Sequence, residues 1–130
     1  MGAPPMPGGV SRKALVVKSD GPERRRLVEI LERAGYRVAT ADDGLDALSK
    51  VDEARPDVIL ADLVLDRLDG MALLRAFRSR PETRSLPVVV VTAVAEPSRM
   101  IETISSGARF FLVEPVQAES LLAKLDSLFG

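Results

Sequence analysis

Residues 56 to 62 read Pro-Asp-Val-Ile-Leu-Ala-Asp, a short apolar run that ends on an acidic side chain. The run Val58–Ala61 is apolar at every position and does not alternate with polar residues. A strand of that kind is buried on both faces, which is typical of a parallel sheet covered by helices on each side. The stretch therefore predicts a central parallel strand, with Asp62 placed where the strand ends.

Four more runs of β-branched and apolar residues lie before and after this stretch, separated by segments in which apolar side chains recur at helical spacing. The runs are Ala14–Val17, Arg37–Ala41, Val88–Thr92 and Phe110–Val113. The fourth helical segment, Ser98–Ser106, has the weakest pattern. The order of elements is (βα)5, and right-handed crossovers restrict such a chain to a doubly wound α/β fold. We expect a parallel five-stranded sheet of the flavodoxin-like kind.

Local signals mark the ends of the predicted helices. Pro22 stands at a first-turn position, and Asp42 or Asp43 stands at a cap position. Gly35 follows the first helical segment and Gly107 follows the fourth, where a glycine commonly ends a helix. These signals agree with the boundaries that the apolar pattern predicts.

The composition limits the chemistry available to the chain. Its 130 residues, 46% of them hydrophobic, are enough for one domain with its own core, and they include no cysteine and no histidine. Disulfides, thiolate nucleophiles and imidazole catalysis are therefore excluded. Residues 1–12 are rich in proline and glycine and predict a disordered tail, which leaves 13–130 as the domain.

Charge and hydropathy argue against nucleic-acid and membrane partners. The formal net charge is −1, and the arginines at 24–26 interleave with glutamates on one helix, which predicts a solvated face. The longest apolar run is far too short to span a bilayer, and the amino terminus has no signal-peptide pattern. We therefore expect a cytoplasmic protein that binds neither nucleic acid nor membrane.

Ligand sites in doubly wound folds lie beyond the carboxyl ends of the strands, where side chains from several strands meet. The residues at those positions are Lys18, Ser19, Asp20, Asp62, Thr92, Ala93, Glu114 and Pro115. A flavodoxin-like cofactor site is compatible with this fold class. The sequence, however, has no glycine-rich phosphate loop after a strand, so that reading lacks its usual motif.

These motifs, in this order and spacing, resemble the response regulator receiver family, the CheY-like domain of bacterial two-component systems. The resemblance extends from Lys13 to Phe129. Besides the stretch 56–62, the motifs that carry it are Asp69-Gly70, Val91-Thr92-Ala93, Gly107-Ala108 and Val113-Glu114-Pro115. The family's motifs are specific enough that the whole domain is identified as similar to a receiver.

The resemblance implies roles for individual residues. Asp62 takes the position of the phosphoacceptor, Thr92 that of the switch hydroxyl and Phe111 that of the switch aromatic. In the family, Mg²⁺ binds two acidic residues after the first strand, the acceptor and a backbone carbonyl, here that of Val64. The resemblance also implies a signalling module that is not an enzyme. A protein partner is expected to dock on the face formed by the fourth helix, fifth strand and fifth helix, and a sensor histidine kinase is a further candidate partner.

The sequence departs from the family at the charged positions of this site. Lys18 and Ser19 stand where the family has its acidic pair, and Glu114 stands where the family has a lysine. Two unit charges about 4 Å apart interact by about 4 kcal/mol at an effective dielectric constant of 20, and a dication doubles that value. We therefore expect Lys18 to exclude Mg²⁺, to act as an internal cation and to pair with Asp62, Glu114 or both.

Two functions follow from these observations. In the first, the chain is an atypical receiver of phosphorelay signal transduction, a pseudo-receiver that binds a protein partner and needs no cofactor. In the second, a histidine kinase phosphorylates Asp62 with Mg²⁺, for which the weak ligand candidates are Asp62, the Val64 carbonyl and Asp20. Asp20 would reach the site only through a bulge in the first strand. We favour the first function. Since no output domain follows Gly130, we expect output through a partner or through regions outside this sequence.

Overall fold

The computed structural model describes residues 11–129, in which strands and helices alternate. The strands are β1 (Lys13–Val17), β2 (Arg37–Ala41), β3 (Val58–Ala61), β4 (Val88–Thr92) and β5 (Phe110–Val113). The helices are α1 (Pro22–Arg33), α2 (Gly44–Ala54), α3 (Gly70–Ser79), α4 (Pro97–Ser105) and α5 (Ala118–Phe129). Residues 1–10, most of the predicted tail, and residue 130 lie outside the described residues.

The strands form a single parallel sheet in the order β2-β1-β3-β4-β5, which confirms the predicted doubly wound α/β fold. The chain winds to one side from β1 to β2 and to the other side from β3 onward, so the order reverses between β1 and β3. In register, Val17 lies opposite both Ala41 and Ala61, and Thr92 lies opposite Val113. The carboxyl ends of the strands therefore meet at one edge of the sheet.

The sheet separates two hydrophobic clusters, to which the central strands contribute alternate residues. On the side of α2 and α3, Leu15 and Ile59 pack with Phe77, and all three are fully buried. On the side of α1 and α5, Val16 and Leu60 pack with leucines of both helices. Each such side chain contributes about 1.5 to 3 kcal/mol when it leaves water. The uniform apolar sequence of β3 is thus explained by burial on both of its faces.

The two outer strands of the sheet, β2 and β5, are less buried than the central strands. β5 is as apolar as the central strands, whereas β2 contains Arg37 and Thr40, and most residues of both strands are only half-buried. Val113 at the end of β5 is 42% exposed. An edge strand has one neighbour instead of two, so its side chains have fewer contacts on each face.

The helix ends follow the predicted signals. Pro22 is the first residue of α1, and of the two candidate caps it is Asp43 that accepts a hydrogen bond from the Asp46 amide at the start of α2. Gly35 and Gly107 adopt φ angles of 98° and 112°, in the left-handed region that favours glycine. No helix within residues 11–129 is long and apolar enough to cross a membrane.

Candidate functional site

Lys18 enters the site from the end of β1. Its amide donates a hydrogen bond to the Ala41 carbonyl at 3.0 Å, so the backbone continues in sheet geometry one residue beyond Val17. Continued sheet geometry holds the residue at the edge where the strand ends meet. The side chain is buried there, with 9% of its surface exposed.

The ammonium group of Lys18 lies between two carboxylates. Its Nζ is 2.6 Å from Oδ2 of Asp62 and 2.9 Å from Oε2 of Glu114, and it donates a hydrogen bond to each residue. The side chains of Asp62 and Glu114 are only 11% and 10% exposed. We call this three-residue group the Lys18 cluster. The Lys18 cluster joins the ends of β1 and β3 to the residue that follows β5. Both pairings of Lys18 that the sequence led us to expect, with Asp62 and with Glu114, are present.

Both carboxylate oxygens of Asp62 have donors. While Oδ2 accepts from Lys18, Oδ1 accepts from the amide of Val64 at 3.1 Å. The backbone of Asp62 is fixed as well, because its amide donates to the Val17 carbonyl at 3.0 Å and Gly70 packs directly against its carbonyl oxygen. The side chain at the predicted acceptor position is therefore held in one orientation with its charge compensated.

The surroundings of Lys18 favour its charged form. Burial by itself lowers the pKa of Lys18, but the hydrogen bonds and negative charges of Asp62 and Glu114 outweigh burial and raise the pKa above its ordinary value. Lys18 is therefore an ammonium ion throughout the physiological range. One cation faces two carboxylates, which leaves the cluster with a formal charge of −1.

The residues of this site do not fit Mg²⁺. The ion requires one or two carboxylates with open oxygen ligands in octahedral geometry, and it loses its water reluctantly. Here the ammonium nitrogen of Lys18 lies between the two carboxylates. Within residues 11–129 there is no group of three or more acidic side chains able to hold a metal ion. The repulsion between Lys18 and a dication, several kcal/mol at this range, opposes binding further.

Asp20 and Ser19 lie outside the Lys18 cluster. The register of β1 with β2 and β3 is uninterrupted, so the bulge that Asp20 would need is absent from this strand. The carboxylate of Asp20 is 66% exposed and pairs with Arg24 at 3.3 Å. Ser19 is also exposed. In this structure the side chain of Asp20 therefore points to solvent and is not part of the Lys18 cluster.

The two predicted switch residues lie on neighbouring strands, Thr92 at the end of β4 and Phe111 within β5. Thr92 is fully buried at the end of β4, and its hydroxyl oxygen accepts a hydrogen bond from the Val94 amide at 3.3 Å. Phe111 is half-buried and packs against the core cluster on the side of α2 and α3. The hydroxyl of Thr92 thus bonds to its own turn, while Phe111 faces inward.

Two arginines near the site were not recognised from the sequence. Arg24, predicted to be solvated together with its neighbours, is only 14% exposed and donates to the Lys18 carbonyl at 3.0 Å. Its spacing of three and seven residues from the buried Leu27 and Leu31 is the signal that places it on the inner side of α1.

Arg67 ties the loop after β3 to the start of α2. It donates to both carboxylate oxygens of Asp43, at 2.6 and 3.0 Å, and these bonds hold the pKa of the Asp43 carboxyl below its ordinary value. Arg67 adopts a φ angle of 62°, an unusual conformation for a residue with a side chain. The residues next to Arg67 in the sequence do not indicate that backbone conformation. The contact between Arg67 and Asp43 was therefore not predictable from the local sequence.

The chain is similar in sequence to known signalling proteins. The family model of the response regulator receiver domain matches residues 14–126. Response regulator MprA of Mycobacterium bovis is 35% identical over 119 residues, which cover 92% of this chain and 51% of that protein. Response regulator MprA of Mycobacterium avium is 35% identical over 116 residues, with coverage of 89% and 50%. The chain therefore spans about half the length of the curated relatives it matches.

Solved structures with the same fold point to the same family. A putative response regulator from Chloroflexus aurantiacus has a TM-score of 0.87 at 28% identity, with 92% of this chain and 98% of that chain covered. Chemotaxis response regulator CheY4 of Vibrio cholerae has a TM-score of 0.83 at 32% identity, with coverage of 92% and 99%. The receiver domain of sensor histidine kinase PA1611 from Pseudomonas aeruginosa, solved with a magnesium ion in its active-site cleft, has a TM-score of 0.79 at 28% identity, with coverage of 91% and 97%.

Proposed function

Because the chain belongs to the response regulator receiver domain family of two-component signalling, we propose that it is an atypical receiver whose pocket works without Mg²⁺. In this proposal the ammonium of Lys18 takes the place of the metal ion, and the domain signals as a protein-interaction module. Phosphorylation of Asp62 is not required for the partner-binding surface to form.

The observation that carries this proposal is the position of Lys18 between Asp62 and Glu114. Phosphoryl transfer to a carboxylate depends on positioning and on positive charge that neutralises the phosphoryl oxygens. In the Lys18 cluster the cation already satisfies both carboxylates, at 2.6 and 2.9 Å. A phosphoryl group at Asp62 would have to displace Lys18 and would meet the negative charge of Glu114. Both effects disfavour the acyl phosphate.

The surface proposed for partner binding is formed by α4, β5 and α5. It carries apolar side chains that are unusually exposed, with Ile101 at 66%, Ile104 at 43% and Val113 at 42%. Exposed apolar side chains on neighbouring elements are typical of sites of protein interaction. Arg109, directly before β5, and Glu119, in the first turn of α5, are exposed polar residues of these elements. Their replacement by alanine should weaken the complex with the physiological partner. Retention of binding in both variants, with loss on substitution of α1 residues, would assign the interaction to another face.

A conventional receiver, phosphorylated on Asp62 by a histidine kinase with Mg²⁺, is the second candidate. It is favoured by the presence of Asp62 and Thr92 at the ends of adjacent strands, and by the magnesium ion reported in the PA1611 receiver domain. The two candidates differ in one measurable property. A pocket that supports phosphorylation must bind a divalent metal.

Titration with Mg²⁺ and with Mn²⁺, followed by calorimetry, separates the two candidates. The proposal predicts no saturable binding at millimolar metal. The matched control is the triple variant Lys18→Asp/Ser19→Asp/Glu114→Lys, which restores the charge pattern of the family and should bind the metal. Saturable binding to the unmodified protein, similar to that of the triple variant, would favour the conventional receiver.

A further inference from the structure

Arg24 lies against the loop that joins β1 to α1, residues 18–21. One terminal nitrogen, Nη1, donates to the carbonyl oxygen of Lys18 at 3.0 Å and to Oδ1 of Asp42 at 2.6 Å. The other, Nη2, lies 3.3 Å from Oδ1 of Asp20. Although it stands in the first turn of a surface helix, the side chain is only 14% exposed. The guanidinium group therefore binds this loop at both Lys18 and Asp20.

The same loop contains a cation that faces inward and an anion that faces outward. The side chain of Lys18 is 9% exposed within the Lys18 cluster, whereas that of Asp20, two residues later, is 66% exposed. Arg24 contacts both residues, the first through its carbonyl and the second through its carboxylate. If Asp20 faced inward, it would add a third carboxylate to Asp62 and Glu114. A group of three carboxylates is a set of ligands suited to a divalent cation.

We propose that Arg24 is a positioning residue that keeps Lys18 inside the pocket and Asp20 outside it. Arg24 thereby determines that the pocket contains an internal ammonium and excludes a divalent metal. The inference rests on the proposed function, because it explains how the metal-independent pocket is maintained.

The chemistry of the guanidinium group suits this task. Its planar fork presents several donors in fixed directions, so it can bind one carbonyl and two carboxylates at once. Hydrogen bonds from a charged donor are about twice as strong as neutral ones. The carboxylate of Asp42 is 70% exposed, so it anchors Arg24 without belonging to the pocket. A lysine at position 24 would keep the charge but would lose the fork that joins the three acceptors.

Two measurements test the inference. The first is amine acylation followed by peptide mass analysis, which reports the reactivity of Lys18 against that of Lys13, Lys50 and Lys124, the other lysines of the chain. The second is Mn²⁺ binding by calorimetry. Both are made on Arg24→Ala, on Arg24→Lys and on Asp42→Ala, which removes the shortest contact of Arg24 from an exposed position and should fold even if Arg24→Ala does not.

Arg33→Ala is the matched control, because Arg33 lies on the same helix and forms an exposed pair with Glu29 at 3.4 Å. In Arg24→Ala, Arg24→Lys and Asp42→Ala we expect the acylation rate of Lys18 to rise about tenfold, the change that loss of one charged hydrogen bond produces. The rates of the other lysines should be unchanged. We also expect Mn²⁺ binding to appear, and to disappear again when Asp20→Asn is added.

The inference is wrong if Lys18 stays as protected as in the unmodified protein, if all four lysines become equally reactive, or if no Mn²⁺ binding appears in the variants. The proposed function fails by a different result, namely Mn²⁺ binding by the unmodified protein. The two failures are therefore distinguishable in one set of titrations.

Discussion

The ammonium nitrogen of Lys18 lies 2.6 Å from Oδ2 of Asp62, with both side chains almost completely buried. A buried ion pair is not by itself a source of stability, since desolvation of two charges can exceed their attraction. Removal of one partner is nevertheless destabilising, because it leaves the charge of the other partner buried and uncompensated. Changes in the Lys18 cluster should therefore affect stability more than changes in comparable surface charges.

Replacement of Asp62 by asparagine keeps the shape of the side chain and removes its charge. Lys18 then keeps only Glu114 as an anionic partner, so we expect the free energy of unfolding to fall by about 1 to 3 kcal/mol. Urea denaturation measures the change, and Asp66→Asn, at an exposed position of the following loop, is the control. A simple phosphoacceptor would behave differently, since Asp62→Asn would then abolish signalling with little loss of stability.

Glu114→Lys tests the exchange of charges between the first and fifth strands. The substitution places a second cation beside Lys18 and removes one of its two anions. We expect destabilisation of about 1 to 3 kcal/mol in chemical denaturation. Glu53→Lys, an equal change of charge at an exposed position of α2, should be close to neutral. Equal stability of the two variants would mean that Glu114 does not compensate Lys18.

The raised pKa of Lys18 predicts a loss of stability at alkaline pH. A group whose pKa is higher in the folded state stabilises that state fully below the ordinary lysine pKa, about 10.4, and loses this contribution as the pH rises through the raised value. The difference in unfolding free energy between the unmodified protein and Lys18→Met should therefore stay constant from about pH 7 to 9. It should shrink above about pH 10.5.

The unfolding free energy of the unmodified protein must be compared with that of Lys18→Met, because the side chain of Tyr36 also titrates at alkaline pH. Burial, with a smaller effect of Asp126, raises the pKa of Tyr36 to about 12, and this change occurs in both proteins. A difference that decreases at neutral pH would show that Lys18 is not held as an ammonium by its partners.

Gly70→Ala tests the packing that holds Asp62. A Cβ atom at Gly70 would overlap the carbonyl oxygen of Asp62 and lie 2.6 Å from the Cα of Leu63, so backbone atoms would have to move. We expect a loss of about 1 to 3 kcal/mol. Gly21 is the matched control, since it has open space around it and an extended backbone. Gly21→Ala should change stability by less than about 1 kcal/mol, and thermal denaturation of both variants checks the contrast.

The fold was predictable because the apolar runs, their spacing and the helix signals all agree. The run Val58–Ala61 indicates a strand by composition alone, and the strand order then brings Lys18 and Asp62 to one edge of the sheet. Composition does not distinguish an edge strand from a central one. β5 is as apolar as β3 but is half-buried, because only the topology determines how many neighbours a strand has.

The charged residues of the site were predictable from the sequence, whereas the contacts that hold them in position were not. The positions of Lys18, Asp62 and Glu114 follow from strand ends, so a pairing among them could be expected. The contact of Arg24 with the Lys18 carbonyl depends on how α1 leaves the sheet, and the tie between Arg67 and Asp43 depends on a left-handed backbone. Both require tertiary geometry that a run of sequence does not encode locally.

The measurement that tests the central claim most directly is the intact mass of the protein after incubation with a small phosphodonor and Mg²⁺. If Lys18 replaces the metal ion, the unmodified protein should keep its mass, while Lys18→Asp/Ser19→Asp/Glu114→Lys should gain one phosphoryl group that Asp62→Asn abolishes. A phosphoryl gain in the unmodified protein, dependent on Mg²⁺ and lost in Asp62→Asn, would contradict the claim.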